Sequence, residues 1–224
     1  LKETNQSELL FGGGSENKDL VEVKEQKYEF NKYPLGTPKA QFFKNFIISQ
    51  THDELVIIDQ HAAHERIIFE KLKNQKAKGK IATQELLMPE ILETTEPEVE
   101  KLIENREILR TLGIEIENFG PKSVCIRGIP AILGDVNPKK LLEDIFQEIR
   151  KYETMDELIK KIDNVFSSMA CHASVRSGRI LKYEEMNFLL REMEKTPNAG
   201  QCNHGRPTFL KLDITKINAL FGRS

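Results

Sequence analysis

The sequence predicts a mixed α/β fold, of the α+β kind, divided into two subdomains. Apolar stretches typical of strands alternate along the chain with stretches that have helical periodicity. Hydrophobic residues make up 39% of the 224 residues and charged residues 30%, which is enough apolar material for a core. Clusters of chemically reactive side chains near residues 60, 171 and 202 lie far apart in sequence. If they line one site, residues 33–76 and 164–224 form one subdomain and residues 77–163 are inserted.

The first third of the chain is expected to begin with a linker and continue as strand, strand and helix. Residues 1–32 contain three consecutive glycines and little periodicity, which is typical of a flexible linker. Residues 40–49 are rich in Phe and Ile and predict a strand, and residues 54–58 predict a second strand after a short turn. Residues 61–75 have helical periodicity and predict a helix.

The middle third predicts strands and helices in alternation. Residues 86–92 are expected to be extended. Thr95 and Glu98 form a capping-box pattern that predicts a helix to about residue 112, where Gly113 ends it. Residues 114–119 and 123–129 resemble a β-hairpin, and a helix is expected from residue 137 to about 151.

The last third is predicted to be mainly helical. Thr154 and Glu157 have the spacing of a helix cap. Helices are expected over residues 164–179 and 183–195, followed by a loop over 196–206, a closing strand over 207–212 and a short terminal helix.

Charge and composition exclude several classes of protein. A net charge of −2 gives no global attraction to DNA, so nucleic-acid binding requires a local patch or a partner. No apolar run has the length of a membrane span, and no signal peptide is recognisable. Three cysteines suit a reducing, cytoplasmic setting, as free thiols or metal ligands. Because the first residue is Leu1, the chain is expected to be part of a longer protein.

The first reactive cluster is formed by Asp59, His61 and Glu65. On a helix His61 and Glu65 share one face, so they are able to hold a divalent cation that Asp59 reaches from the helix start. Glu70 lies about 140° round the helix from Glu65 and is expected to pair with Arg66 instead. The alternative interpretation is a solvated helix start with Asp59 as its cap.

The other two clusters contain cysteine and histidine. Cys202 and His204 stand two residues apart in a predicted loop, a spacing that suits zinc, and Arg206 is suited to a phosphate. The alternative there is a surface turn with an incidental cysteine. Cys171, followed by His172, lies in a predicted helix, where core packing is the simpler interpretation. Cys125 is expected to be core.

Taken together, the three clusters supply thiols, imidazoles and carboxylates. This mixed set is able to hold a thiolate-bound zinc ion and a harder second cation. Two metal ions a few ångströms apart commonly stabilise attack on a phosphodiester.

Several motifs together resemble the MutL family of DNA mismatch-repair proteins. The run from Asp59 to Glu70 matches the family's endonuclease motif, Asp-Gln-His-Ala-x2-Glu-x4-Glu, at every fixed position. Ala170-Cys171 and residues 202–207 resemble the second and third motifs, in the right order. Gly200-Gln201 and the terminal Phe221-Gly222-Arg223 match two further patterns, so the resemblance spans residues 33–223.

The resemblance implies a Mn²⁺-activated, zinc-binding endonuclease that nicks one strand of duplex DNA. It implies catalytic roles for Asp59 and Glu65, with Arg206 as a phosphate-binding group beside them. The implied metal ligands are Asp59, His61, Glu65, Cys171, Cys202 and His204. The implied supporting positions are Gln60, Glu70, His172, Phe221 and Arg223.

Two positions depart from the family pattern. His172 stands where the second motif often has arginine, so a basic contact is lost, moved to Arg176, or replaced by an extra ligand. His64 stands where the family often has aspartate, which leaves its role open.

Residues 84–89 are similar to the peptide with which bacterial MutL proteins bind the DNA polymerase sliding clamp. Its key positions are Gln84, Leu87 and Pro89. A short extended peptide with apolar side chains is able to fill such a pocket. The alternative is a buried strand with Leu87 and Met88 in the core.

The resemblance also implies partners. It implies a homodimer, with the metal site in the dimerisation subdomain and the clamp peptide in an inserted, external regulatory subdomain. It implies the mismatch-recognition protein MutS as a partner, and control by ATP only through an N-terminal ATPase domain that is missing here. Two other functions remain open: a non-catalytic, zinc-stabilised dimerisation and clamp-docking module, and a metal-responsive DNA-binding domain, against which the near-neutral charge counts.

Overall fold

The computed structural model of the chain describes residues 33–152, 155–173 and 179–223. It confirms the mixed α+β class. The strands are β1 (Thr37–Phe42), β2 (Phe46–Gln50), β3 (Glu54–Asp59), β4 (Thr83–Glu93), β5 (Glu115–Asn118), β6 (Ser123–Pro130) and β7 (Phe209–Asp213). The helices are α1 (Gln60–Ala77), α2 (Glu96–Glu104), α3 (Arg106–Thr111), α4 (Pro138–Ile149), α5 (Met155–Lys160), α6 (Ile162–Ala173), α7 (Tyr183–Lys195) and α8 (Ile214–Leu220), with a 3-10 turn at Ala131–Leu133. Across these three stretches of chain, no helix has both the length and the apolar character that a membrane crossing needs.

The first sheet is antiparallel, with strand order β1-β2-β3-β7. Side chains alternate between its two faces, and Ile47, Val56 and Ile58 are fully buried on the inner one. Helices α1 and α7 cover that face, with Ile67 and Leu190 among the residues of the shared core. This sheet therefore supports the start of α1, where the first reactive cluster lies.

The second sheet is also antiparallel, with strand order β4-β6-β5. Its core includes buried residues of α2, α3, α4 and α6, and it also includes Ile68, Phe69 and Leu72 of α1. Helix α1 thus contributes to both cores. The division into two subdomains at residues 77 and 163 stays a prediction.

The single strand predicted over residues 40–49 was wrong, because the chain turns back within it. Phe43 and Lys44 have φ angles of 49° and 54°, and the N–H of Asn45 donates to the carbonyl of Phe42 at 3.0 Å. Two consecutive left-handed residues form a tight hairpin. The usual sequence signal is Asn-Gly or Asp-Gly, and neither is present here, so the apolar run concealed the turn.

Helix boundaries also differ from the prediction. The capping box at Thr95 and Glu98 is present, but the helix that it opens is interrupted at Asn105, which separates α2 from α3. Gly113, with a φ of +82°, follows the end of α3 as expected. Helix α6 begins at Ile162, two residues before the prediction, and Arg179 at its predicted end is not helical. The predicted cap at Thr154 lies outside the described residues.

Candidate functional site

Asp59 ends β3 and caps α1. Its Oδ1 accepts hydrogen bonds from the backbone N–H groups of His61 and Ala62, both at 3.0 Å. The carboxylate thus satisfies two of the backbone N–H groups that have no hydrogen-bond partner within the helix at its N-terminus. The structure therefore gives Asp59 the cap role that the sequence offered as the simpler interpretation, at the junction where a metal-binding role was also expected.

Glu65 is the point at which three distant segments meet. Its carboxylate is buried, with 4% of the residue exposed. The thiol of Cys171 on α6 lies 3.5 Å from its Oε1, and the side-chain amide of Asn203 donates to the same oxygen at 3.4 Å. Glu65, Cys171 and Asn203 are hereafter called the Glu65 cluster. It brings together one residue from each of the three sequence clusters.

Asn203 was not singled out from the sequence. It lies between Cys202 and His204, and a neutral amide carries no signal of its own among stronger metal ligands. Its Oδ1 is buried and has no hydrogen-bond partner among the described residues. An unpaired buried carbonyl oxygen is costly, and it is an acceptable ligand for a hard cation.

The Cys202–His204 loop is tightly closed. The N–H of Cys202 donates to the carbonyl of Arg206 at 2.8 Å, and the N–H of Gly205 donates to the carbonyl of Cys202 at 3.0 Å. Gly205 has a φ of +78°, which favours glycine at this turn. The buried Cys202 sulfur accepts the His204 N–H at 3.3 Å, while the side chains of His204 and Arg206 are exposed.

Two titratable groups near the candidate site, Cys171 and His64, have pKa values shifted from the ordinary ones. Burial, followed by the charge of Glu65 and its hydrogen bond, raises the pKa of the Cys171 thiol to about 11. Burial is the largest cause that lowers the pKa of His64 to about 4, and the positive charges of Lys71, His61 and Arg179 act in the same direction. At neutral pH Cys171 is therefore a protonated thiol and His64 a neutral imidazole.

Gln60 anchors the start of α1. Its side chain is fully buried, and it accepts from the Gln41 amide at 2.6 Å and donates to the carbonyl of Lys44 at 2.8 Å. Gln41 in turn accepts from the N–H of Leu181 at 3.0 Å. Gln41 had no signal in the sequence, because the contact joins segments far apart. Through these hydrogen bonds, Gln60 and Gln41 hold the β1–β2 turn and the segment before α7 in place beside residues 59–61.

Other predicted positions make local contacts. Glu70 pairs with Arg66 across one helical turn, as the spacing predicted. His172 contacts Asp144 on α4, with 2.9 Å between Nε2 and Oδ2. Arg176, the alternative for that basic contact, lies outside the described residues. Phe221 and Arg223 are exposed beyond α8, a helix with no buried residue.

Within residues 84–89, Leu87 and Met88 project from β4, whereas Leu86 packs against the core of the second sheet. Between Glu85 and Glu90 the pairing with β6 shifts, so that the intervening residues bulge from the sheet. Leu87 is 100% exposed and Met88 is 80% exposed. The alternative of a buried strand at this segment was therefore wrong.

The side chains around Glu65 are of the chemical types that bind metal ions. However, no three His, Cys, Asp or Glu side chains lie close enough together among the described residues to hold one. Buried carboxylate, thiols and an unpaired amide oxygen are metal-binding groups. No group of three or more His, Cys, Asp and Glu able to hold a metal is present in residues 33–152, 155–173 and 179–223. Binding would require side-chain rotation around the Glu65 cluster.

Comparison with known proteins identifies the family. Residues 39–181 match the family model described as the MutL C-terminal dimerisation domain. The chain is 49% identical over 199 residues to the DNA mismatch repair protein MutL of Brucella anthropi, covering 89% of this chain and 32% of that protein. It is 50% identical over 190 residues to MutL of Afipia carboxidovorans, covering 85% and 31%. The chain thus spans about a third of the length of these relatives, and it belongs to the MutL family, in the part that carries the C-terminal dimerisation domain.

Proposed function

We propose that the chain is a metal-dependent endonuclease that nicks one strand of duplex DNA in mismatch repair. The observation that carries the proposal is the Glu65 cluster, in which one buried carboxylate contacts groups from α6 and the 202–207 loop. Buried carboxylates are rare unless they are paired or bind a cation. The relatives named MutL act in mismatch repair according to their names, which supports the same role here.

The residues that would hold zinc and manganese are the sequence-predicted ligands and the Glu65 cluster. Asp59, His61 and Glu65 would come from the start of α1, Cys171 from α6, and Cys202 and His204 from the loop. Bound ions would supply an activated water and neutralise charge that develops on the phosphate. Glu65 would be held in place by Asn203, and the exposed Arg206 would bind a phosphate oxygen of the substrate.

The proposal is tested by relaxation of supercoiled plasmid with Mn²⁺, with and without the sliding clamp. The Glu65→Gln and Asp59→Asn variants are expected to lose nicking by on the order of 100-fold or more, since each removes a charged ligand. Asp213→Asn is a matched control, because Asp213 ends β7 and caps α8 through its Oδ1, just as Asp59 ends β3 and caps α1. Strands β3 and β7 are antiparallel neighbours, so Asp213 lies at the opposite end of this pair from Asp59. Equal relaxation by all four proteins would contradict the proposal.

We further propose that the chain forms a homodimer through the outer face of the first sheet. In the register of that sheet, Phe42 pairs with Phe46, Ile57 with Leu210, and Leu55 with Leu212. Their side chains point away from the inner core, and Phe42, Phe46, Leu210 and Leu212 are 37–57% exposed. A continuous apolar face of this kind is typical of a protein interface. The matching family model describes a dimerisation domain, which supports this role.

A sliding-clamp contact through residues 84–89 is also proposed. Exposure of Leu87 and Met88 on a bulge supports it, because two apolar side chains in water are available to fill a pocket on a partner. Partnership with MutS and control by ATP through a further domain are also proposed, on the resemblance of the sequence motifs to the MutL family.

A second function, a non-catalytic module stabilised by zinc, is favoured by one observation. Asp59 already has a structural role as the cap of α1, at the position where a catalytic role was expected. In that case zinc would raise the melting temperature, and Mn²⁺ with plasmid would give no nicking by any variant.

A further inference from the structure

A cleft with three arginines lies on the second sheet, among α3, β5 and β6. It has a volume of about 140 Å³ and an apolar floor that includes Ile116. Arg106 and Arg110 line it from α3, where a spacing of four residues places them on the same side of the helix. Arg127 lines it from an exposed position of β6 between buried neighbours. We call this the arginine cleft.

Two of these arginines have no ion-pair partner in the part of the chain that the structure describes. No described carboxylate lies within ion-pair distance of Arg106 or Arg110. Arg127 donates from its Nε to Glu117 at 2.9 Å, which leaves its terminal N–H groups for another acceptor. With Glu115 and Glu117 the lining holds three arginines and two glutamates, a formal charge of +1. This is a local excess of positive charge on a chain whose net charge is −2.

The fold itself gives little reason for this arrangement. Arg106, Arg110 and Arg127 are exposed, so they contribute little to the core, and like charges in one cleft repel each other. A guanidinium group presents a planar fork of donors that matches the oxygens of a phosphate. The cleft is small enough to suit a single phosphate group, and its two carboxylates would keep the affinity modest.

We infer that the arginine cleft binds a phosphate group, held by Arg106, Arg110 and the terminal N–H groups of Arg127. The phosphodiester backbone of duplex DNA is one source of that group, and this source rests on the proposed nuclease function. Free phosphate is the other source. A backbone contact here would position the duplex from the second sheet and carry no sequence specificity.

The test uses Arg106→Gln/Arg110→Gln, with Lys139→Gln/Lys140→Gln as the matched control, because both variants remove two exposed positive charges. Binding of a short duplex is measured over a series of salt concentrations in a chelator, so that nicking plays no part. Binding of inorganic phosphate is followed by the NMR signals of the arginine Nε–H groups.

The cleft variant is expected to lose duplex affinity by on the order of tenfold per lost contact at about 0.1 M salt. The slope of log affinity against log salt concentration is expected to fall by about two, which corresponds to about two fewer counterions released on binding. The lysine control should change less than half as much. Loss of phosphate binding with unchanged duplex binding would assign the cleft to a free phosphate. Equal behaviour of both variants towards both probes, or no binding of either probe by the unmodified chain, would overturn the inference.

Failure of the nuclease proposal is recognised separately. Asp59→Asn is expected to lose nicking while it keeps its duplex affinity, since Asp59 lies on β3 and not in the arginine cleft. A chain that binds DNA through the cleft and never nicks would therefore refute the nuclease and leave the cleft intact.

Discussion

The buried position of Glu65 explains the unusual chemistry of Cys171. Cys171 is an exposed residue, but its thiol is partly shielded by the protein and lies 3.5 Å from a buried carboxylate. It resists ionisation because the thiolate would lose part of its solvation and lie next to a negative charge. This keeps the pKa of Cys171 near 11 and the thiol unreactive at neutral pH. A cation bound between the two groups would reverse the effect, because it would stabilise both anions.

Glu65→Gln is therefore expected to make Cys171 more reactive. Loss of the carboxylate charge lowers the pKa of the thiol, so alkylation by iodoacetamide at pH 8.5 in a chelator should become several-fold faster. Mass spectrometry of the Cys171 peptide measures the rate, and the peptide that contains Cys125, a buried cysteine on β6, gives an internal control. An unchanged rate at Cys171 would mean that Glu65 does not control this thiol.

His64 gives a prediction about stability and pH. Its pKa is about 4 in the folded chain and 6.5 as an ordinary value, so the unfolded state binds the proton more tightly. The stability that the neutral imidazole contributes is fully present above pH 6.5 and is lost as the pH falls from 6.5 to 4, by up to about 3 kcal/mol.

Urea unfolding between pH 4 and 7 measures this loss. His64→Gln should flatten the pH dependence of the unmodified chain. The same slope in both proteins would exclude His64 as its origin.

At the scale of elements, the outer face of the first sheet sets the oligomeric state in our proposal. Leu212→Glu places a charge on the apolar face, where an unpaired carboxylate buried in the interface costs about 3 kcal/mol, or roughly 100-fold in the dissociation constant. Sedimentation equilibrium should show a shift to monomer. Phe119→Glu is the matched control, because Phe119 is 58% exposed in the turn of the second sheet. Dissociation by Phe119→Glu alone would place the interface elsewhere.

The sequence predicted the elements best where local signals were strong. The capping box at Thr95 and the hairpin around Gly120 have signals within four or five residues, and both are present. The turn at Phe43 and Lys44 was missed, since it uses residues that rarely adopt a positive φ and is held partly by Gln60, far along the chain. The break at Asn105 was missed because helical periodicity continues across it.

The site shows the same division between local and long-range information. Motif spacing identified Glu65 and Cys171 separately, and the Asp59 cap followed from its place after a strand. Contacts at Glu65 span 106 and 138 residues, and no periodicity reports them. Asn203 and Gln41 depend wholly on such contacts, which is why neither was predicted.

At the scale of the whole molecule, α1 joins the two cores. Ile67 belongs to the core of the first sheet, and Ile68 and Leu72 belong to the core of the second. Helix α1 also begins at the candidate site, and α6 packs against it from the second core. Neither core is complete without this helix, so the two sheets should unfold together even though they share no strand.

Leu72→Ala tests this coupling. Removing a fully buried leucine costs about 2–5 kcal/mol, and the loss should appear in both sheets, because α1 cannot detach from one core and keep its packing in the other. Native-state hydrogen exchange at Ile47 and Ile126, the buried centres of the two sheets, measures it. Ile145→Ala on α4 is a second test, since Ile145 is equally buried and lies only in the second core, and joint unfolding of the sheets predicts that it too lowers protection in both. A loss of protection confined to the second sheet with Leu72→Ala would show that the cores are independent. An equal loss in both sheets would show that the two cores unfold as one cooperative unit, with α1 shared between them.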